Sequence, residues 1–114
     1  MLSREYILKG KKNFENVQKE GRLFQSSSFG IAYLKREDTG PSRFGFVVST
    51  KIAKEAVQRN RIKRALSEAV RFMMKEIKEG YEVVFLAKQR SAKEPTDVLM
   101  REVREAMPKA KLTK

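Results

Sequence analysis

Four cations and one amide occupy six consecutive positions of this chain, Arg59-Asn60-Arg61-Ile62-Lys63-Arg64. The residues around the run follow helical patterning, so any fold the chain adopts must carry a dense cationic arc on one helix. Like charges one turn apart repel, and an isolated helix gains nothing from Arg59 facing Lys63 or from Arg61 near Arg64. A polyanion is the simplest partner that makes such a cluster favourable. The arc reads as a nucleic-acid-contacting surface, with a solvated helix face as the plainer alternative.

The same helix is predicted from about Glu55 to about Glu79, ending at Gly80. At ~100° per residue, Ile62, Leu66, Ala69 and Met73 form one apolar stripe. Asn60, Lys63, Arg64, Ser67 and Arg71 lie opposite, and Arg59 and Arg61 flank them. Residues 51–75 hold eight basic and two acidic residues, so a net +6 of the total +12 sits in this one stretch. That concentration points to a directed patch more than to a uniformly basic surface.

The rest of the chain supplies what such a helix packs on. Segment 13–20 reads as a first helix, with Phe14 and Val17 on one side and Gly21 as its stop. Segment 28–35 alternates Phe29, Ile31 and Tyr33 with Gly30, Ala32 and Leu34, the pattern of a strand covered on both faces. Residues 36–42, Arg-Glu-Asp-Thr-Gly-Pro-Ser, are turn chemistry. A second strand over 43–49 then completes a predicted antiparallel hairpin. The near-continuous apolar run Tyr81–Ala87 is a third strand, buried and suited to parallel pairing. A last helix is expected from about Pro95 to Met107, with Pro108 as its stop and residues 109–114 as a frayed basic tail. The reading is one domain over residues 1–114, of α+β class, in the order helix-strand-strand-helix-strand-helix.

Composition narrows the chemistry. The 114 residues include 40% hydrophobic ones, enough for a modest core, and the isoelectric point is near 10.2. Nucleic acid is the leading partner class and an anionic membrane surface the second. No cysteine and no histidine occur. Disulfides, thiolate metal sites and serine–histidine or cysteine–histidine catalysis are thereby excluded. The 14 acidic residues are scattered among 26 basic ones with no convincing catalytic cluster. No stretch reads as a signal peptide or a membrane span, so a cytoplasmic location is expected.

The element order with Arg-Asn-Arg-x-Lys-Arg in the long helix resembles the protein subunit of bacterial ribonuclease P. Phe14-x-x-Val17-x-x-x-Gly21-Arg22, Arg43-x-Gly45 with Val47-Val48-Ser49 and Lys51, Glu68, Val83-Val84 and Ala87-Lys88 carry the likeness through almost the whole chain. The resemblance implies a two-layer α/β sandwich like the second domain of ribosomal protein S5. It also implies a left-handed βαβ crossover, where the general rule alone predicts a right-handed one. It further implies an endoribonuclease subunit that assists removal of the 5′ leader from precursor tRNA. Catalysis would come from an RNA partner holding Mg2+, with no catalytic or metal-binding residue and no intrinsic cofactor in this chain. Ser67 and Gln18 depart from the family, which often has Arg and an aromatic residue there.

On this reading Arg59, Asn60, Arg61, Lys63, Arg64, Lys51, Lys54 and Arg71 contact the ribonuclease P RNA subunit. Phe14, Tyr33 and Lys88 line a cleft for the single-stranded leader between the sheet and the first helix. The bland alternatives are a core ring for Phe14 and solvated loop cations for Lys51, Lys54 and Lys88; Phe29 reads as core. No membrane partner and no small-molecule substrate are expected. Three rivals remain: a ribosomal or ribosome-assembly RNA-binding protein, a duplex-DNA binder lacking a helix-turn-helix partner, and a metal-dependent nuclease acting alone.

Overall fold

The computed structural model describes residues 2–37 and 40–114. Its principal elements are α1 (Lys11–Glu20), β1 (Arg22–Gln25), β2 (Phe29–Lys35), β3 (Arg43–Val47), α2 (Ala56–Phe72), β4 (Tyr81–Ala87) and α3 (Thr96–Lys109). The strands form one sheet in the order β1-β2-β4-β3. Asp38 and Thr39 of the predicted turn lie outside the described residues.

Strand β4 takes the central place because its apolar run suits burial on both faces. Val83, Val84 and Phe85 are all fully buried. It pairs antiparallel with β2 (Ala32 opposite Val84) and parallel with β3 (Gly45 opposite Val84). The predicted β2–β3 hairpin is therefore corrected: the two strands flank β4 and do not pair. Buried Ser42 fixes this arrangement, its hydroxyl donating to the Lys78 carbonyl at 2.6 Å and accepting the Tyr81 N–H at 3.0 Å. The β3–α2–β4 unit joins two adjacent parallel strands through a helix, a βαβ crossover.

Strand β1 was absent from the sequence expectation. It has four residues, mostly exposed, with no alternation to betray it. It forms because Gly21 ends α1 against β2. A Cβ there would collide with the carbonyls of Val17 and Tyr33, so only glycine permits the close approach. The Ser26–Ser28 turn to β2 is held from across the molecule by Glu102 of α3, which accepts from Ser26 Oγ at 2.5 Å and from the Ser28 N–H at 2.8 Å.

Alternation along the strands divides the core in two. Phe29, Ile31, Phe44, Val83 and Phe85 face α2 and α3, meeting Ile62, Leu66, Val70, Leu99 and Val103. The opposite face carries a smaller cluster of Leu8, Val17, Ala32 and Val84, with α1 laid over it. The α2 stripe is as predicted: Ile62, Leu66, Ala69 and Met73 are all buried. The helix stops at Phe72, short of the predicted Glu79, because Met73 leaves helical geometry and a 3-10 turn over Met74–Glu76 swings Ile77 into the core.

Two expectations for the C-terminus are corrected. Pro108 lies inside the last turn of α3 and does not end it. Lys111 adopts φ 62°, and the Leu112 N–H reaches the Met107 carbonyl at 3.0 Å while the Lys111 N–H reaches that of Pro108 at 2.9 Å. This is a Schellman cap. It drives Leu112 into the core, where it is 1% exposed. Residues 109–114 are accordingly docked, not frayed: Lys78 N–H bonds to the Leu112 carbonyl and Lys114 N–H to that of Glu76.

Candidate RNA interface

Strand β3 is a sheet edge, and its flanks define the site. The N-terminal segment runs beside it, with Leu8 N–H donating to the Phe44 carbonyl at 2.9 Å. Phe14 of α1 lies over Gly45, so near that an added Cβ would collide with the ring edge at Cζ and Cε2. Between these elements and α2 opens a cleft of about 440 Å³. Its floor is apolar, from Leu2, Ile7, Leu8, Phe14, Phe44 and Phe46. One wall is polar, from Asn60, Lys63, Arg64 and Ser67.

The six-residue run thus divides by helical phase. Asn60, Lys63 and Arg64 are exposed and border the cleft. Ser67, placed by sequence on the exposed arc, is 6% exposed, and its hydroxyl turns back to the Arg64 carbonyl at 3.1 Å. Arg59 and Arg61 are half-buried and brace the molecule. Arg59 Nη1 donates to the carbonyls of Ala53 (3.0 Å) and Lys54 (2.6 Å). Arg61 donates through Nε to Gln58 Oε1 and through Nη1 to the Glu94 carbonyl, both at 3.1 Å, tying α2 to the approach to α3. A guanidinium has five N–H donors, so these bonds are compatible with a further contact to phosphate.

Parallel pairing gathers more cations at one end of the sheet. The segments leaving β3 and β4 emerge together, and Gln89 Nε2 donates to the Lys51 carbonyl across them at 2.9 Å. Lys51 and Lys54 are exposed there, beside the N-terminus of α2, whose dipole adds positive potential. Lys88 is at the same end, its ammonium donating to the Ser26 carbonyl at 2.7 Å. Arg71 lies at the other end of α2, paired with Glu68 at 2.8 Å and placed over the Phe72 ring at 4.6 Å.

The structure does not bring the predicted cleft residues together. Tyr33 lies on the α2–α3 face of the sheet, its ring 6.4 Å from that of Tyr81, whereas Phe14 lies on the α1 face. Lys88 is four residues along β4 from Val84, the partner of Gly45, or about 13 Å at ~3.3 Å per residue. The half-buried apolar residues that share the α1 face with Phe14 are instead Leu34, Val47 and Leu86. None of the three was assigned to the cleft from sequence; each lies two residues beyond a buried residue of the same strand face, Ala32, Gly45 and Val84, and that spacing was the available signal. Among the described residues no group of three or more acidic side chains is placed to hold a metal ion, and no helix is long and apolar enough to cross a membrane.

A small α/β protein with a cation-walled, apolar-floored cleft on a sheet edge has the chemistry of a nucleic-acid-binding subunit. The family model for ribonuclease P matches residues 2–111, and the chain belongs to that family. It is 34% identical over 111 residues to the ribonuclease P protein component of Symbiobacterium thermophilum, covering 97% of this chain and 96% of the relative. With that of Clostridioides difficile it shares 38% identity over 82 residues, 71% of this chain and 70% of the relative. The solved ribonuclease P protein of Staphylococcus aureus has the same fold, with a TM-score of 0.89 at 24% identity over 96% of this chain and 98% of the other. That of Thermotoga maritima gives 0.78 at 23% identity, over 87% and 92%.

Proposed function

We propose that this chain binds the catalytic RNA of ribonuclease P through α2 and the basic end of the sheet, and holds the 5′ leader of precursor tRNA in the cleft along β3. The observation that carries the proposal is the cleft itself: an apolar floor for bases beside Asn60, Lys63 and Arg64 for phosphates. Base–aromatic stacking contributes ~1–3 kcal/mol per base, and Phe14 is the aromatic ring of α1 at the cleft. Lys51, Lys54, Arg59, Arg61 and Lys88 lie at one end of the sheet, where a phosphate backbone gains from all of them.

In this role the chain positions its partners and the RNA performs the cleavage. Mg2+ would be held by RNA, and the cationic surface lowers the amount required by reducing repulsion between the two RNAs. Leader binding favours precursor over mature tRNA, since the precursor alone has the additional strand. The setting is the cytoplasm. Cleavage of a precursor tRNA by a bacterial ribonuclease P RNA at low Mg2+, with and without this protein, is the test. Stimulation requiring both components supports the proposal; RNA binding without stimulation favours the ribosomal rival.

A further inference from the structure

Phe72 has no place in the core or in the cleft. Its ring is 63% exposed, and the other six phenylalanines are buried or half-buried. It ends α2 on the outward side: at ~100° per residue it falls within 20° of Arg61 and 40° of Glu68, and about 12 Å along the axis from Arg64. The ring is also held in a defined setting. The Arg71 guanidinium lies 4.6 Å from its centroid, and Glu68 Oε2 anchors Arg71 Nε at 2.8 Å. Such a cation–ring pair presents a flat aromatic surface beside a positive charge, the combination that binds an unpaired base and its phosphate.

We infer that Phe72, backed by Arg71, is a stacking platform for an unpaired base of the RNA that lies along α2, apart from the leader cleft. The inference rests on the proposed binding of ribonuclease P RNA. The net +6 of residues 51–75 argues for RNA as the occupant over a second copy of this equally basic chain.

Stacking releases no counterions, whereas a phosphate contact does, and this gives a discriminating readout. The affinity of the full chain for ribonuclease P RNA is to be measured across a salt series for wild type, Phe72→Ala, Phe72→Trp and Arg71→Ala. Phe72→Ala is expected to weaken binding roughly 5- to 160-fold, the ratio that ~1–3 kcal/mol of stacking amounts to, with an unchanged salt slope. Phe72→Trp should retain affinity, and Arg71→Ala should lower the slope. Equal affinity of Phe72→Ala and wild type overturns the inference while leaving RNA binding intact. Failure of wild type to bind removes the underlying proposal and the inference with it. Sedimentation of the free protein covers the remaining occupant: a dimer abolished by Phe72→Ala assigns the ring to self-association and overturns the inference.

Discussion

Phe14 and Gly45 are packed ring on backbone, with no room for a β-carbon between α1 and β3. The contact fixes how the cleft floor meets the sheet. Gly45→Ala must push the ring off the strand. Overpacking costs ~1–3 kcal/mol, and the low end is expected because Phe14 is half-buried and has space to swing. Urea unfolding would give that value. If Phe14 meets the leader, the variant also loses part of its preference for precursor over mature tRNA, read by competition binding. Preference equal to wild type in both Gly45→Ala and Phe14→Ala would assign Phe14 to packing alone.

The basic run predicts two kinds of variant. Lys63 and Arg64 are exposed at the cleft, so Lys63→Ala with Arg64→Ala should leave stability within ~0.5 kcal/mol of wild type. RNA affinity should fall, and the salt slope should shrink by ~0.7–0.9 for each phosphate contact removed. Arg61→Ala should reduce stability as well, because it releases the tie to the Glu94 carbonyl. Thermal unfolding alongside salt-dependent binding separates the two classes. Identical stabilities for all these variants would show that Arg61 braces nothing.

What the sequence made legible follows from where the information lies. The α2 stripe and the β4 run are local patterns of apolar residues; β4 occurs where its pattern places it, and α2 starts as predicted but ends early, at Phe72. Pairing is not local: β4 enters between β2 and β3 because its residues are apolar on both faces, which no inspection of the 36–42 turn reveals. Tyr33 could not be assigned to a face before that register was known. Strand β1 is held by a glycine contact and by Glu102, 74 residues beyond Ser28. The cationic arc was readable as chemistry, but its division into bracing Arg59 and Arg61 and cleft-lining Asn60, Lys63 and Arg64 depends on what packs beside each helical phase.

Glu102 gives the fold an acid-sensitive latch. Burial alone would raise its pKa, but hydrogen bonds from Ser26 Oγ and the Ser28 N–H, with Arg90 nearby, outweigh it and hold the carboxyl below the usual 4.5. A depressed carboxylate contributes stability above its unfolded-state pKa and loses it as pH falls through the folded one. Wild type should therefore weaken progressively below about pH 4.5. Glu102→Gln should be less stable at pH 7 and lose less on acidification. Urea midpoints at pH 7 and pH 3 test this; parallel losses in both proteins would mean the latch contributes nothing.

Lys111 is the described non-glycine residue with positive φ. For a residue with a β-carbon this conformation costs ~1–2 kcal/mol, and it is sustained by the two cap hydrogen bonds and by burial of Leu112. Glycine at this position removes the steric cost but adds backbone entropy to the unfolded chain, a loss of ~0.5–1 kcal/mol. Lys111→Gly is therefore expected to stabilise by a few tenths to about 1 kcal/mol. Leu112→Ala should destabilise by ~2–5 kcal/mol, as for other fully buried leucines. A frayed tail predicts no change for either. Denaturant unfolding of both variants separates the two cases, because only a docked terminus moves the midpoints in opposite directions.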